Sequence, residues 1–172
     1  MSPCPYFARS FATFAVDSCL NGQAADYPYR DHFHTSCPGQ PPDAQALLQA
    51  FVGAPPAWAQ ALMRARDRLM APLGLKTADL PGQAPQARVG EAVGVFCVWH
   101  AGPDELLLGQ RDRHLDFCLW LGVRAGRLHL YTGVRPHHLG GWLYLALVWP
   151  FHWLIVRRSL ARMAAHCSEA AC

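Results

Sequence analysis

The residues best suited to do chemistry are histidines that stand close to acidic, basic or hydroxyl side chains. His114 and Asp116 are two positions apart in "GQRDRHLDF", so a strand would place both on one face. With Asp112 and Arg135 they form a polar motif that is either a binding site or a surface ladder with an Asp116–Arg135 ion pair. Strand alternation turns them away from the apolar face, which favours the ladder.

A second candidate is His152, which lies in the apolar C-terminal segment "GGWLYLALVWPFHWLIVRRSLARM". In a helical projection it is adjacent to Val148 and Ile155, at the edge of the face that would turn inward. A buried imidazole needs hydrogen-bond partners, and leaving one unmade costs roughly 1–3 kcal/mol. The simpler interpretation is a structural bond to Tyr144 or to a backbone carbonyl. The sharper hypothesis is that His152 and Thr132 present polar atoms to a cavity and orient a ligand oxygen.

Other motifs of known chemistry are missing from the sequence. His137 and His138 are adjacent, with no carboxylate or cysteine near them in sequence, so a metal site is not indicated. The seven cysteines form no C-x-x-C pair, and there is no G-x-S-x-G element or phosphate-binding glycine loop. We therefore expect neither a metal nor another cofactor, and the sequence does not identify catalytic residues.

Composition indicates one folded domain that does not bind nucleic acid. The chain has 172 residues, 52% of them hydrophobic and 16% charged, and its net charge of +3 comes from dispersed arginines. An odd cysteine count and a poor signal peptide predict a cytoplasmic protein. We expect an irregular segment over residues 1–23, a domain over 24–166 and a tail over 167–172.

Two short helices are expected in the N-terminal third, after an irregular first forty residues. "PPDAQALLQAFVGAPPAW" predicts the first, with Asp43 as its cap and Gly53 as its end. The second follows Pro55 and Pro56, and residues 77–89 have the composition of a loop.

From Gly90 the hydrophobic period changes to two. The segments "AVGVFCVW", "ELLLGQ", "RHLDFCLWLGV" and "RLHLYTGV" predict an antiparallel meander with one covered face. A two-residue turn at Ala125–Gly126 would set the register of the last two strands. The predicted pairs are Leu121 with Leu130, Leu119 with Thr132, Phe117 with Val134, and Asp116 with Arg135.

The run from Leu139 to Val156 has 18 residues without a formal charge, close to the length of a spanning helix. Its glycines, Pro150 and His152 favour a buried core helix instead, beginning near Gly140. We expect Tyr144, Val148, Phe151 and Ile155 to face the sheet. Trp142, Trp149, Trp153 and Leu160 form the opposite stripe, which residues 1–25, a second subunit or lipid would have to cover.

These elements predict an α+β fold in which a curved antiparallel sheet wraps around the long C-terminal helix and leaves an apolar cavity. The expected lining residues are Phe117, Leu119, Thr132, Tyr144, Phe151 and His152. The favoured function is binding of a small lipophilic molecule. One alternative is a cyclase- or hydratase-like enzyme that uses His152 or Tyr144 as acid–base. A second is a membrane-peripheral protein, or a homodimer, with contact through the C-terminal helix.

Four segments resemble a family of short, uncharacterised bacterial proteins whose relatives also occur fused behind dehydrogenase-like domains. They are "ADYPYRDHF", "PAWAQALMRARDRL…GLK", "GQRDRHLDF" and "PFHWLIV". The resemblance covers roughly residues 24–163. Its most specific parts are Asp112-x-His114-Leu115-Asp116-Phe117 and Pro150-Phe151-His152. It implies a START-like, or SRPBCC, helix-grip fold with a hydrophobic ligand cavity, and it implies no established reaction.

Overall fold

The fold is α+β, with one antiparallel sheet, a short helix and a long C-terminal helix. A computed structural model describes residues 26–37, 40–53 and 85–169, together with residues 58, 61 and 64. The elements are β1 (Tyr29–Ser36), α1 (Ala44–Gly53), β2 (Ala92–Val93), β3 (Phe96–Ala101), β4 (Glu105–Arg111), β5 (Leu115–Arg124), β6 (Arg127–Pro136) and α2 (Leu139–Glu169). The six strands are ordered β1-β6-β5-β4-β3-β2, so β1 and the last strand are neighbours.

The meander and its register are confirmed. All four predicted pairs, from Leu121–Leu130 to Asp116–Arg135, are partners in the β5–β6 ladder. The segment "AVGVFCVW" differs in detail, because a turn divides it into β2 and β3. Register follows from sequence here because a shift of one residue would move every apolar side chain of β5 to the wrong face.

The β5–β6 turn holds an alanine in a left-handed backbone conformation. Ala125 has φ 50° and Gly126 has φ 67°, as a two-residue hairpin of the primed type requires. Because a Cβ disfavours this region, Ala125→Gly should raise the free energy of unfolding by about 1 kcal/mol. Denaturant titration measures this, with Gly126→Ala as the opposite, destabilising control. A loss of stability in Ala125→Gly would show that the alanine side chain contributes packing.

The first helix forms as predicted. The Oδ1 atom of Asp43 accepts a hydrogen bond from the Ala46 backbone amide at 2.8 Å, which caps α1, and Gly53 ends it. Of the second predicted helix only residues 58, 61 and 64 are described, and these three are helical. Most of the 77–89 loop and the 1–23 segment lie outside the described residues.

The prediction that the first forty residues are irregular is wrong for residues 29–36, which form β1. This strand pairs along its whole length with β6, from Tyr29–Val134 to Ser36–Arg127. Its alternate residues Asp31, Phe33 and Thr35 are buried, whereas the residues between them are only partly covered or exposed. The charged and polar side chains concealed this two-residue period in the sequence.

The main core lies between one face of the sheet and the two helices. Phe33, Leu119, Leu121 and Leu130 of the sheet belong to the same buried cluster as Leu47 and Leu48 of α1. Val156, Leu160 and Met163 complete it from α2. The C-terminal half of α2 is therefore fixed to the domain by apolar burial.

The expectation of a single covered face is wrong, because the other face has its own buried cluster. This outer cluster consists of Tyr27, Leu107, Cys118, Trp120 and Tyr131, with Trp99 packed against it. It is compact because aromatic rings lie directly on glycines of the sheet. A Cβ added to Gly122, for example, would be 2.5 Å from the Trp120 ring. Aromatic rings thus supply most of the apolar area on this face, and Leu107 is the aliphatic member of the cluster.

The long helix is continuous from Leu139 to Glu169, with Pro150 inside it, and it reaches into the segment expected to be a tail. Its first turn can approach the sheet because residue 141 is glycine: a Cβ there would lie 2.6 Å from the His114 carbonyl oxygen. As predicted, the side chains of Tyr144, Val148 and Ile155 are partly buried.

Two residues of α2 face differently from the prediction. Phe151 is 43% exposed, since it falls at the outer edge of an inward face centred on Val148 and His152. Leu160 is buried rather than opposite the core, because the C-terminal half of α2 contacts α1 as well as the sheet. The interpretation of this run as a buried core helix does not hold for its most apolar window, of which 11% is buried.

Candidate ligand-binding site

A polar cluster lies within the apolar layer where β1, β6 and α2 meet. Asp31 and Thr132 are directly paired across the β1–β6 ladder, on the face that α2 covers. The Nε2 atom of His152 is 2.9 Å from the Asp31 Oδ2 atom, and the Tyr29 hydroxyl donates to the same oxygen at 2.7 Å. Two strands and the long helix therefore each contribute a polar side chain to one point.

This cluster is almost closed to solvent. Asp31 is 4% exposed and Thr132 is fully buried, whereas the His152 side chain retains 18% exposure. Leu119 pairs with Thr132, and Phe33 with Leu130, so the neighbouring positions on this face are apolar. Access to the cluster is therefore from the side of His152, along the helix.

Two of its oxygen atoms have no hydrogen-bond partner among the described residues. They are Asp31 Oδ1 and Thr132 Oγ1, and the Ser159 hydroxyl, two turns farther along α2, is another buried atom of this kind. Buried polar groups are rarely left unpaired, because each costs about 1–3 kcal/mol. Two unpaired oxygens on directly paired residues of the sheet make this the candidate site for a polar group of a ligand.

The chemistry of this pair of oxygens is specific. The Asp31 Oδ2 atom already accepts a hydrogen bond from Tyr29. The Oδ1 atom is also an acceptor, and it can bind a hydrogen-bond donor of a ligand. The Thr132 hydroxyl can donate or accept. With Asp31 engaging the Nε2 atom of His152, the Nδ1 atom is the ring nitrogen left for a ligand. A ligand hydroxyl can satisfy these groups because it both donates and accepts.

The structure brings together only some of the predicted lining residues. Thr132 and His152 are in the cluster, and Leu119 is the cross-strand neighbour of Thr132. Tyr144 is partly buried about two turns before His152, and His152 bonds to Asp31 rather than to Tyr144. Phe117 lies farther along the same sheet face, against Phe96. Phe151 points away from the sheet and is not part of the cluster.

Asp31 and Tyr29 are the residues that sequence reasoning missed. Asp31 lies in "YRDHFHTS" two positions before Phe33, and that spacing places a carboxylate on an apolar sheet face. The sequence therefore contained the information that Asp31 faces inward, but this can be inferred only after the segment is identified as a strand.

The predicted polar motif lies elsewhere and forms a ladder. The Arg135 Nη2 atom is 2.7 Å from the Asp116 Oδ2 atom, and His137 Nε2 is 3.3 Å from the same oxygen. Burial alone would raise the pKa of Asp116, but hydrogen bonds from Arg135 and His137 outweigh it and hold that pKa below its usual value. His114 contacts His138 rather than Asp116, with 2.9 Å between their ring nitrogens.

The ladder does not reach the buried cluster. Asp116 is on the sheet face opposite Thr132, and one Asp112 carboxylate oxygen is buried without a partner among the described residues. Within the described part of the chain, no group of three or more His, Cys, Asp or Glu side chains could hold a metal ion.

Three histidines form a separate group on the outer sheet face. His32 and His34 of β1 lie beside His129 of β6, and the His32 Nε2 and His129 Nδ1 atoms are 2.9 Å apart. Burial, followed by the neighbouring histidine charges, lowers the pKa of His32 from 6.5 to about 4. Burial likewise lowers the pKa values of His34 and His129, with Arg127 adding to both.

These lowered values predict acid sensitivity. A histidine whose pKa is lower in the folded state binds its proton more tightly when unfolded, so acid favours unfolding. The stability that His32 allows is fully present above its unfolded pKa of about 6.5, and it is lost as the pH falls from there through the folded pKa of about 4. The melting temperature should therefore fall between about pH 7 and pH 5, and His32→Gln should reduce that slope. An unchanged slope in this variant would contradict the assignment.

An open, mainly polar groove of about 430 Å³ lies at the start of α1, away from the cluster. It is lined by Asp43, Ala44, Gln45, Gln86, Ala87, Arg88, Ala101 and Gly102. In this groove the Gln45 side-chain amide bonds to the backbone of Pro85 and Ala87, which holds the segment before β2 against α1. The groove does not enclose a ligand site.

A family described as "protein of unknown function (DUF2867)" matches residues 23–159, which is most of the chain and includes the whole polar cluster. No curated protein and no solved structure matches the chain.

Proposed function

The chain belongs to the DUF2867 family, and we propose that it binds a small lipophilic molecule bearing a hydroxyl group. The ligand's apolar part would lie between the sheet and the N-terminal half of α2. Its hydroxyl would bond to Asp31 Oδ1, Thr132 Oγ1 or His152.

The observation that carries this proposal is the pair of unpaired oxygens in a buried apolar layer. Asp31 Oδ1 and Thr132 Oγ1 have no partner among the described residues, although both are closed to water. Ligand sites in proteins commonly have this composition, with apolar walls and a few polar groups that fix orientation.

Incomplete helix packing next to the cluster supports the same proposal. In the C-terminal half of α2, Val156, Leu160 and Met163 are fully packed. In the N-terminal half, the sheet-facing side chains of Tyr144 and Val148 are only partly buried. A lipophile that enters between this half and the sheet would bury them further, and the burial contributes about 25 cal/mol per Å² of apolar area.

The strand order supports the helix-grip architecture that the proposal assumes. β1 lies beside the last strand, α1 follows β1, and α2 follows β6 and returns across the same sheet face. An antiparallel sheet that is covered on one face by a long terminal helix can hold a ligand between the two layers.

Native mass spectrometry of the purified protein tests the proposal. We expect an added mass that organic extraction removes and that chemical analysis identifies as a hydroxyl-bearing lipophile. Protein that carries no such mass and binds none of a panel of aliphatic alcohols would contradict it.

Thr132→Val should separate ligand binding from stability. The substitution keeps the shape and removes an unpaired buried hydroxyl, so the free energy of unfolding should stay the same or rise by up to about 1 kcal/mol. Ligand affinity should fall about threefold to tenfold, because one ligand hydrogen bond is lost. Thr35→Val is the matched control, since Thr35 is buried on the same face of β1 but is paired with Leu128, away from Asp31. A destabilised Thr132→Val variant with unchanged affinity would show that the hydroxyl is structural.

The Asp31–His152 pair supports a second candidate, an enzyme on the same site. A carboxylate that holds one imidazole nitrogen leaves the other able to take or give a proton. A hydratase- or cyclase-like reaction needs such a group beside an apolar substrate. Incubation of the recovered ligand with the protein tests this. An enzyme would change the mass of the ligand by one water, or would isomerise it, and the His152→Phe variant would do neither. An unchanged ligand leaves binding as the function.

A further inference from the structure

The first half of α2 exposes an apolar surface that is unusual for a folded domain. All but one of the exposed large hydrophobic residues in the described chain belong to it, with Val89 the exception. This outer face consists of Leu139, Trp142, Leu143, Leu147, Trp149, Phe151 and Trp153, which are 37% to 82% exposed. Contiguous apolar patches of this kind mark sites of contact with another protein or with a membrane.

The outer face is continuous along and around the helix. At about 100° per residue, its side chains cover roughly half of the circumference over about 22 Å of length, and no charged residue interrupts them. The other half of the circumference holds Val148 and His152, which face the sheet. One side of the helix therefore contacts the sheet, and the other side exposes large apolar side chains.

The same helix is long and apolar enough to cross a membrane, by length and composition. Spanning, however, would withdraw Val156, Leu160 and Met163 from the main core and would break the bond between His152 and buried Asp31. A helix that lies along the membrane surface keeps both sets of contacts.

The charge distribution identifies the kind of surface. From Phe117 to Ser168 the sequence contains no Asp or Glu, but it contains six arginines. Arg157, Arg158 and Arg162 follow the outer face directly along the helix, and the Arg157 guanidinium lies 4.3 Å from the Trp153 ring centre. Tryptophan and arginine together suit the boundary between lipid headgroups and acyl chains.

A second copy of the chain fits this surface less well. A two-fold contact in which the helices run antiparallel would bring the arginine end of one helix to the start of its partner. That start is preceded by Arg135, His137 and His138. Among the described residues, the carboxylate that contacts this segment is Asp116, which already pairs with Arg135. The arrangement would place like charges together.

We propose that the outer face of α2 docks the protein on the surface of an anionic lipid bilayer, with the helix parallel to the membrane plane. The indoles and leucines enter the headgroup region, and the net positive charge of the segment attracts anionic lipids. Docking goes beyond the ligand-binding proposal and does not depend on it.

Vesicle flotation of the full chain tests this proposal. The probes are vesicles of phosphatidylcholine alone and of phosphatidylcholine with phosphatidylglycerol. We expect binding to the anionic vesicles that is weaker on neutral ones and decreases with salt. Leu143→Ser/Leu147→Ser should reduce binding at least about tenfold with an unchanged melting temperature, because both side chains are largely exposed. Val89→Ser, which removes an equally exposed hydrophobic outside the face, should bind like the wild type.

Three results would overturn the proposal. Wild-type protein that floats with neither vesicle excludes docking, and equal binding to both vesicles excludes the role of the arginines. A wild-type dimer in size-exclusion chromatography with light scattering, made monomeric by Leu143→Ser/Leu147→Ser and unable to bind vesicles, would assign the face to a second copy.

Discussion

Trp120→Ala should lower the free energy of unfolding by about 3–5 kcal/mol, although Trp120 lies on the sheet face away from both helices. Its ring is fully buried in the outer cluster, packed over Gly122. Truncation of a buried tryptophan leaves a large cavity and costs this amount in other proteins. The substitution also removes the bond from the indole Nε1 atom to Glu105 Oε2, which is 3.1 Å long.

The matched control is Trp142→Ala, which removes the same side chain from the outer face of α2. Trp142 is 45% exposed, so its loss should change stability by less than about 1 kcal/mol. Urea denaturation of both variants gives the comparison. If both variants lost a similar free energy of unfolding, the outer cluster would stabilise the fold no more than an exposed surface does. That result would contradict a core on both faces of the sheet.

His152→Phe should lower the free energy of unfolding by about 2 kcal/mol. Asp31 is 4% exposed. In the variant its Oδ2 atom loses the contact with His152 and keeps only the hydrogen bond from the Tyr29 hydroxyl. Loss of a hydrogen bond to a buried charged or polar group costs about 1.5–3 kcal/mol. The structure therefore predicts a stability effect in addition to the effect on ligand binding, because His152 serves both.

A double-mutant cycle with Asp31→Leu isolates the contact. When both partners are replaced by apolar side chains, neither leaves a buried polar group that has lost its partner, so the double variant should be more stable than the sum of the single losses by about 1 kcal/mol or more. Tyr29 is only partly buried and can turn to water. Additive losses in urea denaturation would show that the 2.9 Å contact contributes nothing to stability.

The β5–β6 hairpin could be predicted to the residue because its information is local. Alternating apolar residues, a short turn at Ala125–Gly126 and an Asp116–Arg135 pair all specify one register. The position of β1 depends instead on pairing with β6, about a hundred residues later in the chain, and on a face that includes Asp31 as well as Phe33. A polar strand that forms by long-range pairing has no clear alternation of apolar and polar residues in its own sequence.

The candidate site could be predicted only in part for the same reason. Thr132 and His152 lie in segments whose orientation follows from periodicity, so both could be placed on inward faces. Their common partner Asp31 could not, because it belongs to β1. The face of α2 was predicted less well, because sequence shows that a helix is apolar on all sides but not which side the domain covers.

The central claim is that a lipophile with a hydroxyl group binds at Asp31, Thr132 and His152. Methyl NMR of the Thr132 side chain during titration with 1-octanol, and separately with octanoate, tests it most directly. We predict that octanol shifts the Thr132 methyl signal and the His152 ring signals together, saturably, and at lower concentration than octanoate, whose carboxylate cannot donate to Asp31 Oδ1. If both compounds shift only the indole signals of Trp142, Trp149 and Trp153 and leave the Thr132 methyl unchanged, the site between the sheet and the helix does not bind lipophiles and the claim is wrong.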